Sequence, residues 1–213
     1  MDLTKYGVSS DNPLLSIALT HSSYANEHNV EDYERLEYLG DAVLELVMSE
    51  YYYKNTSLRE GEMTKRRSSY VCEEALDAYG KTISLKEHIK VGEGAEANHT
   101  IVADVFEAVI AVIYLNNGLS KAREFVMDIA LPFIKDNTIF LSDYKSYLQE
   151  LVQTDRKSVE YRVVKESGPD HNKVFEVEVL VDNIVFATGK GKNKKAAEQN
   201  AAKNAIELSA GVK

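Results

Sequence analysis

The hydrophobic period of this 213-residue chain changes near residues 137–143, dividing it into two parts of different fold class. Before the change, apolar residues recur at helical spacing and no useful strand alternation appears, so residues 1–140 are expected to be all-α. Asn12-Pro13 opens a helix, with proline at a tolerated first-turn position. Further helices are expected over about residues 32–53, 62–80, 100–115 and 120–135. Gly80 stops the third segment, Asn116-Asn117-Gly118 ends the fourth, and Pro132 breaks the fifth. After the change, a helix over 143–152 precedes a short strand at 161–164 and a Gly168-Pro169-Asp170-His171 loop. Phe175, Val177, Val179 and Val181 then alternate with Glu176, Glu178 and Leu180, the period of a half-buried strand. Asp182-Asn183 turns the chain into a second arm, 184–187. Ala197, Ala201, Ala205 and Leu208 share one face of a closing helix. The expected fold is an all-α domain over 1–140, then a small α+β domain of order α-β-β-β-α over 143–211. The helices of the second domain can cover only one face of its sheet.

Charge follows the same division. Residues 1–142 carry 13 Lys/Arg against 23 Asp/Glu, whereas 143–213 carry 12 against 11. The acid therefore lies in the helical part, and the tail holds the one dense basic run. No stretch approaches the roughly 18 consecutive apolar residues of a membrane span, and the N-terminus lacks a secretory pattern. A single cysteine, Cys72, can form no internal disulfide and reads as a small residue inside a helix. A reducing cytoplasm, with no membrane attachment, is the expected setting.

The strongest chemical pattern is Glu34-Arg35-Leu36-Glu37-Tyr38-Leu39-Gly40-Asp41. At about 100° per residue, Glu34, Glu37 and Asp41 fall on one side, and Glu45 continues the row. Leu36, Leu39, Val43, Leu46 and Val47 form the opposite flank and should face the core. In Thr100–Ile110, apolar residues surround the helix except where Asp104 and Glu107 interrupt it. A helix apolar on all sides is buried, and buried carboxylates need a partner. That partner is either a basic residue from elsewhere or a hard divalent cation such as Mg²⁺, which favours oxygen ligands. The histidines have no ligand spacing, and no Ser-His-Asp or Cys-His arrangement emerges.

These segments resemble the ribonuclease III family. Glu34–Asp41 with Ala42-Val43-Leu44-Glu45-Leu46 is similar to its nuclease signature, and His21-Ser22-Ser23-Tyr24-Ala25-Asn26-Glu27 to the segment before it. Glu60-Gly61-Glu62-Met63-Thr64 and Ala103-Asp104-Val105-Phe106-Glu107-Ala108 match two further blocks. Asp143-Tyr144-Lys145-Ser146-Tyr147-Leu148-Gln149-Glu150 resembles the start of the family's double-stranded-RNA-binding domain. Gly189-Lys190-Gly191-Lys192-Asn193-Lys194-Lys195-Ala196-Ala197-Glu198 resembles the opening of its closing helix. The blocks run in the family's order over nearly the whole chain.

The resemblance implies a Mg²⁺-dependent endoribonuclease of double-stranded RNA, with Mn²⁺ a plausible substitute and no organic cofactor. Glu37, Asp41, Asp104 and Glu107 would bind the metal, with Asp41 and Glu107 most critical for cleavage. Glu34 and Glu60 would be accessory acidic positions. Water activated by Mg²⁺ would leave 5′-phosphate and 3′-hydroxyl ends with short 3′ overhangs, as in processing of rRNA and mRNA precursors. Cutting both strands implies a homodimer, with Tyr38 at the position, often Phe, that plugs into the partner subunit. The loop over 91–99 is shorter and less basic than in the family. In the tail, the resemblance makes Gln149, Gln153, His171, Lys192, Lys194 and Lys195 the RNA contacts, reading A-form shape through 2′-hydroxyls and phosphates. Two other readings remain: a non-catalytic RNA-binding protein that keeps the fold, which would lose an acidic ligand, and an all-α hydrolase of small nucleotides, which would not need the tail.

Overall fold

The structure, a computed structural model, describes residues 1–138, 140, 143–154, 157–169 and 173–210. The chain divides into two compact units, Met1–Ser142 and Asp143–Lys213. The first is helical: α1 (Pro13–Ala18), α2 (Ser22–His28), α3 (Glu34–Asn55), α4 (Glu60–Tyr70), α5 (Glu73–Thr82) and α6 (His99–Lys135). Single 3₁₀ turns at Thr4–Tyr6 and Leu85–His88 complete it.

Helix α6 is the axis of this unit. Val105, Phe106, Ala108, Val109, Ile110, Ala111, Val112 and Ile113 are all fully buried, so its length and apolarity, sufficient by composition for a membrane span, are used as core. Each large side chain so buried contributes about 1.5–3 kcal/mol. Helices α3 and α5 flank it, and Tyr79 of α5 packs its ring against Phe106 of α6, which in turn stacks on Phe125.

The helical fold class is as expected, but several boundaries differ. The segment expected as one helix over 62–80 is two, α4 and α5. Cys72 lies between them in extended conformation as the N-cap of α5 rather than inside a helix. Its carbonyl accepts the Ala75 and Leu76 amides at 2.9 and 3.0 Å, and Glu73 and Glu74 suit the positive end of the helix dipole that follows. Gly80 is not a stop; it lies inside α5, so close to α6 that a Cβ there would sit 2.5 Å from Val102 Cγ1. The break at Gly118 is real, with φ 74° and ψ 177°. Pro132 breaks nothing: it removes one donor within α6, and its own carbonyl accepts the Asp136 amide at 3.0 Å. Leu46 faces solvent at 53% exposure, not the core, because the buried stripe of α3 passes through Val43, Leu44, Val47 and Met48. Helix α2 was not anticipated; its signal is the His21 side chain, which accepts the Ser23 amide as an N-cap.

The second unit runs α7 (Tyr144–Thr154), β1 (Val159–Ser167), β2 (Val174–Val181), β3 (Ile184–Gly191), α8 (Lys194–Ala210), the expected α-β-β-β-α order. The sheet is antiparallel in the order β1-β2-β3. Asp182 and Asn183 both adopt positive φ, 49° and 65°, as a tight hairpin turn requires. Both outer strands are longer than the sequence suggests. Helix α8 packs on β2 and β3 through Ala197, Ala201, Ala202, Ala205 and Ile206, whereas Leu208 is 56% exposed. Small alanines let the helix lie close to the sheet, where a Cβ on Gly189 would fall 2.1 Å from the Ala201 amide nitrogen.

Candidate active site

Helices α3 and α6 cross at Gly40. A Cβ on this residue would lie 1.8 Å from the carbonyl oxygen of Glu107, so the two backbones touch there. Only glycine permits that approach. The crossing sets the acidic row of α3 beside the two carboxylates of α6. The side chains of Glu37, Asp104 and Glu107 are partly buried there, while Asp41 is exposed.

The electrostatics follow from this packing. Burial first, then repulsion from Asp41, Glu37, Asp104 and Glu45, pushes the Glu107 carboxyl up to about 8. Burial and the charges of Asp104, Glu34 and Asp41 raise Glu37 as well. Asp104 is raised by burial, an effect opposed by the hydroxyl of Tyr33, which donates to Asp104 Oδ2 at 3.0 Å. Glu45, the last of the row, also pairs with Arg67, whose Nε lies 2.7 Å from its Oε2. Among the described residues, no group of three or more Asp, Glu, His or Cys side chains is placed so as to hold a metal ion. Glu37, Asp41 and Asp104 nonetheless lie near enough to Glu107 to raise its carboxyl by repulsion, so the four make an acidic cluster of oxygen donors.

The remaining sequence-derived residues fall into three groups. Glu34 is exposed at the start of α3 and adds its charge to Glu37. Glu60 opens α4, accepts the Thr64 hydroxyl at 3.2 Å, and lines a separate pocket with Ser49, Tyr52, Tyr53 and Arg67. Tyr38 is 83% exposed. In the second unit, Lys192, Lys194 and Lys195 are exposed around the start of α8, where the Asn193 side chain accepts the Ala196 amide at 2.8 Å. No carboxylate among the described residues pairs with these three lysines, whereas Lys190 lies 3.7 Å from Glu176. Gln149 is partly buried and Gln153 exposed on α7. His171 lies outside the described residues. The loop over 91–99 is tied down: the Gly92 amide donates to Ser23 Oγ at 2.9 Å, and the Glu93 amide to Glu27 Oε1 at 3.0 Å. Tyr33 is the residue that sequence reasoning missed, since nothing in its spacing marks it as a neighbour of Asp104.

Comparison with known proteins places both units of the chain in known families. The Ribonuclease-III-like family matches residues 11–134, and the double-stranded RNA binding motif matches residues 144–208. The chain is 44% identical over 195 residues to Ribonuclease 3 of Onion yellows phytoplasma (strain OY-M), covering 89% of this chain and 82% of that protein. It is 42% identical over 209 residues to Ribonuclease 3 of Streptococcus pneumoniae (strain CGSP14), covering 93% and 90%. The nuclease domain of Ribonuclease III from Campylobacter jejuni, whose solved structure concerns flexibility in a region involved in dimer formation, superposes with a TM-score of 0.55 at 30% identity. That match covers 61% of this chain and 94% of the other. A helical nuclease unit joined to a duplex-RNA-binding unit defines an endoribonuclease that acts on double-stranded RNA. The chain belongs to the ribonuclease III family.

The raised carboxyls make a pH prediction for the metal-free protein. Between about pH 4.5 and 8 the unfolded chain has released the Glu107 proton that the folded chain retains. The folded state then binds more protons, so stability falls as pH rises through that window. Glu37 and Asp104 act in the same sense. The melting temperature without divalent cation should drop by about 5–10 °C from pH 5.5 to 8, as read by calorimetry. A melting temperature that rises over this range would contradict the assignment of Glu107 as a raised, repelled carboxyl.

Proposed function

We propose that the chain is a Mg²⁺-dependent endoribonuclease specific for double-stranded RNA, in which Glu37, Asp41, Asp104 and Glu107 together hold the cation and Mn²⁺ can replace it. Residues 1–140 are the nuclease domain and 143–211 the RNA-binding domain in this reading. The observation that carries it is the backbone contact of Gly40 with Glu107, which sets four repelling carboxylates from two helices side by side. The donor set fits a hard cation, because all of its atoms are carboxylate oxygens and Glu107 resists ionisation until a positive charge relieves it. When bound, the cation supplies a nucleophile at neutral pH and offsets charge on the phosphate. Asp41 and Glu107 are the two residues whose loss costs cleavage most. Glu34 and Glu60 are accessory: Glu34 adds negative potential, and Glu60 shapes the neighbouring pocket. The products are 5′-phosphate and 3′-hydroxyl ends with short 3′ overhangs, and no organic cofactor is needed.

Cleavage of both strands calls for a homodimer. Exposed Tyr38 supports this, as does a cavity of about 530 Å³ between α1, α3 and α6, lined by Leu14, Ile17, Val30, Arg35, Leu39 and Leu115 among others. An aromatic ring from a second copy fits such a cavity, and Glu31, Asp32 and Arg35 at its margin offer polar partners for the tyrosine hydroxyl.

Duplex binding falls to Lys192, Lys194 and Lys195, with Gln149, Gln153 and His171 reaching minor grooves. Changing Lys194 and Lys195 to Ala should weaken duplex binding and flatten the plot of log affinity against log salt by about 1 per lysine. An unaltered slope would remove both from the interface. Kinship with Ribonuclease 3 supports a cytoplasmic role on rRNA and mRNA precursors.

The function is tested by incubating the full chain with long duplex RNA, with and without Mg²⁺, and mapping the ends. Staggered cuts bearing 5′-phosphates only in the presence of the cation are expected. Binding without cutting under every cation condition would instead support a non-catalytic RNA-binding protein.

A further inference from the structure

We infer that Tyr33 is a positioning residue for Asp104: its hydroxyl holds one carboxylate oxygen so that the other is free to face the divalent cation, which makes Tyr33 a determinant of metal affinity. This rests on the reading that Asp104 belongs to the cation site.

Tyr33 immediately precedes α3 and is only 4% exposed. It occupies the N-cap position of that helix, yet its side chain makes no capping bond. Its hydroxyl instead reaches Asp104 on α6, donating to Oδ2 at 3.0 Å. A buried phenol needs a polar partner, and this one lies 71 residues away. The ring is fixed from both ends. Its backbone amide donates to Thr20 O at 3.0 Å, and its ring packs beside that of His21, tilted by 49° with centroids 5.8 Å apart. His21 is itself anchored: its amide donates to Lys90 O at 3.0 Å, and its Nδ1 lies 2.7 Å from Ser23 Oγ. The side chain has little freedom to leave Asp104.

The chemistry of the contact suits this role. Arg67 pairs with Glu45 as a cation, a charged partner that draws on the carboxylate's negative charge. A tyrosine is a neutral donor, so it orients Asp104 while leaving the negative charge that attracts a metal. Hydrogen bonds of this kind to ligating side chains typically govern metal affinity by about 10–100-fold.

The test is Tyr33→Phe in the full chain, which removes one oxygen and keeps the ring. Mn²⁺ binding would be followed by electron paramagnetic resonance without RNA, and cleavage would be followed against Mg²⁺ concentration. Both midpoints should rise about tenfold, while kcat recovers at saturating Mg²⁺ and KM for duplex RNA stays the same. In an Asp104→Asn background, adding Tyr33→Phe should leave the Mn²⁺ midpoint where Asp104→Asn alone put it. An unshifted Mn²⁺ midpoint in Tyr33→Phe would overturn the inference, as would an undiminished effect in the Asp104→Asn background. Glu107→Gln separates the two levels. If it weakens Mn²⁺ binding and Tyr33→Phe does not, only the role of Tyr33 falls. If neither weakens it, the four-carboxylate reading falls as well.

Discussion

Glu107→Gln should lower duplex-RNA cleavage by about three orders of magnitude while leaving duplex binding intact. The amide keeps the volume of the side chain and its place on α6, where the surrounding residues are buried. What it removes is an anionic donor from the centre of the cluster, the group repelled by Asp41, Glu37, Asp104 and Glu45. In the proposed mechanism several kcal/mol of charge stabilisation at the phosphate depend on a well-held cation, and each 1.36 kcal/mol is tenfold in rate. Binding is expected to persist because the duplex is gripped by the second unit, whose lysines lie elsewhere in the chain. The metal-free variant should also be more stable than the parent at pH 8, having lost its repelled carboxyl. Single-turnover cleavage beside a gel-shift measurement checks both halves of the claim. Cleavage within a few-fold of the parent would remove Glu107 from the site.

The second large effect is structural. Gly40→Ala adds one methyl group at the place where α3 and α6 touch, 1.8 Å from the Glu107 carbonyl oxygen. That oxygen is backbone within a buried helix, so it cannot swing aside, and the helices must separate. Alanine favours helix over glycine by about 1 kcal/mol, but overpacking a core costs about 1–3 kcal/mol and occasionally more. At a contact this short the upper end should prevail. We expect a net loss of about 2 kcal/mol, or roughly 4–8 °C in the melting temperature of the nuclease unit. Cleavage should fall even below the transition, because the separation moves Glu37 and Asp41 away from Asp104 and Glu107. A variant that melts like the parent and cuts normally would show that the crossing is looser than the backbone contact implies.

Much of this was legible in the sequence, for definite reasons. The acidic row of α3 and the interruption of an otherwise apolar α6 by Asp104 and Glu107 are one-dimensional patterns. Helical periodicity turns such patterns directly into faces. The alternation in β2 and the Asp182-Asn183 turn were legible for the same reason. Elements that depend on tertiary packing were not. Gly80 looks like a helix stop until Val102 is seen against it, and Cys72 looks helical until its carbonyl is seen capping α5. Pro132 looks like a break, but a single lost donor near the end of a long packed helix is tolerated. Leu46 belongs to the apolar set by composition alone; the core stripe passes beside it. Within the site, the acidic residues could be read from spacing, while the groups that act on them could not. Arg67 reaches Glu45 from α4 and Tyr33 reaches Asp104 across 71 residues, distances along the chain that no local pattern encodes. Gly40 was visible within the acidic motif, but its purpose became clear only with the Glu107 carbonyl opposite it.

The most direct test of the account is a crystal of the full chain soaked in Mn²⁺, with the ion located by its anomalous scattering. A peak coordinated by carboxylate oxygens drawn from both α3 and α6, Asp41 and Glu107 among them, is the predicted result. A crystal in which Asp104 and Glu107 turn away from Glu37 and Asp41, with the ion bound elsewhere, would contradict it.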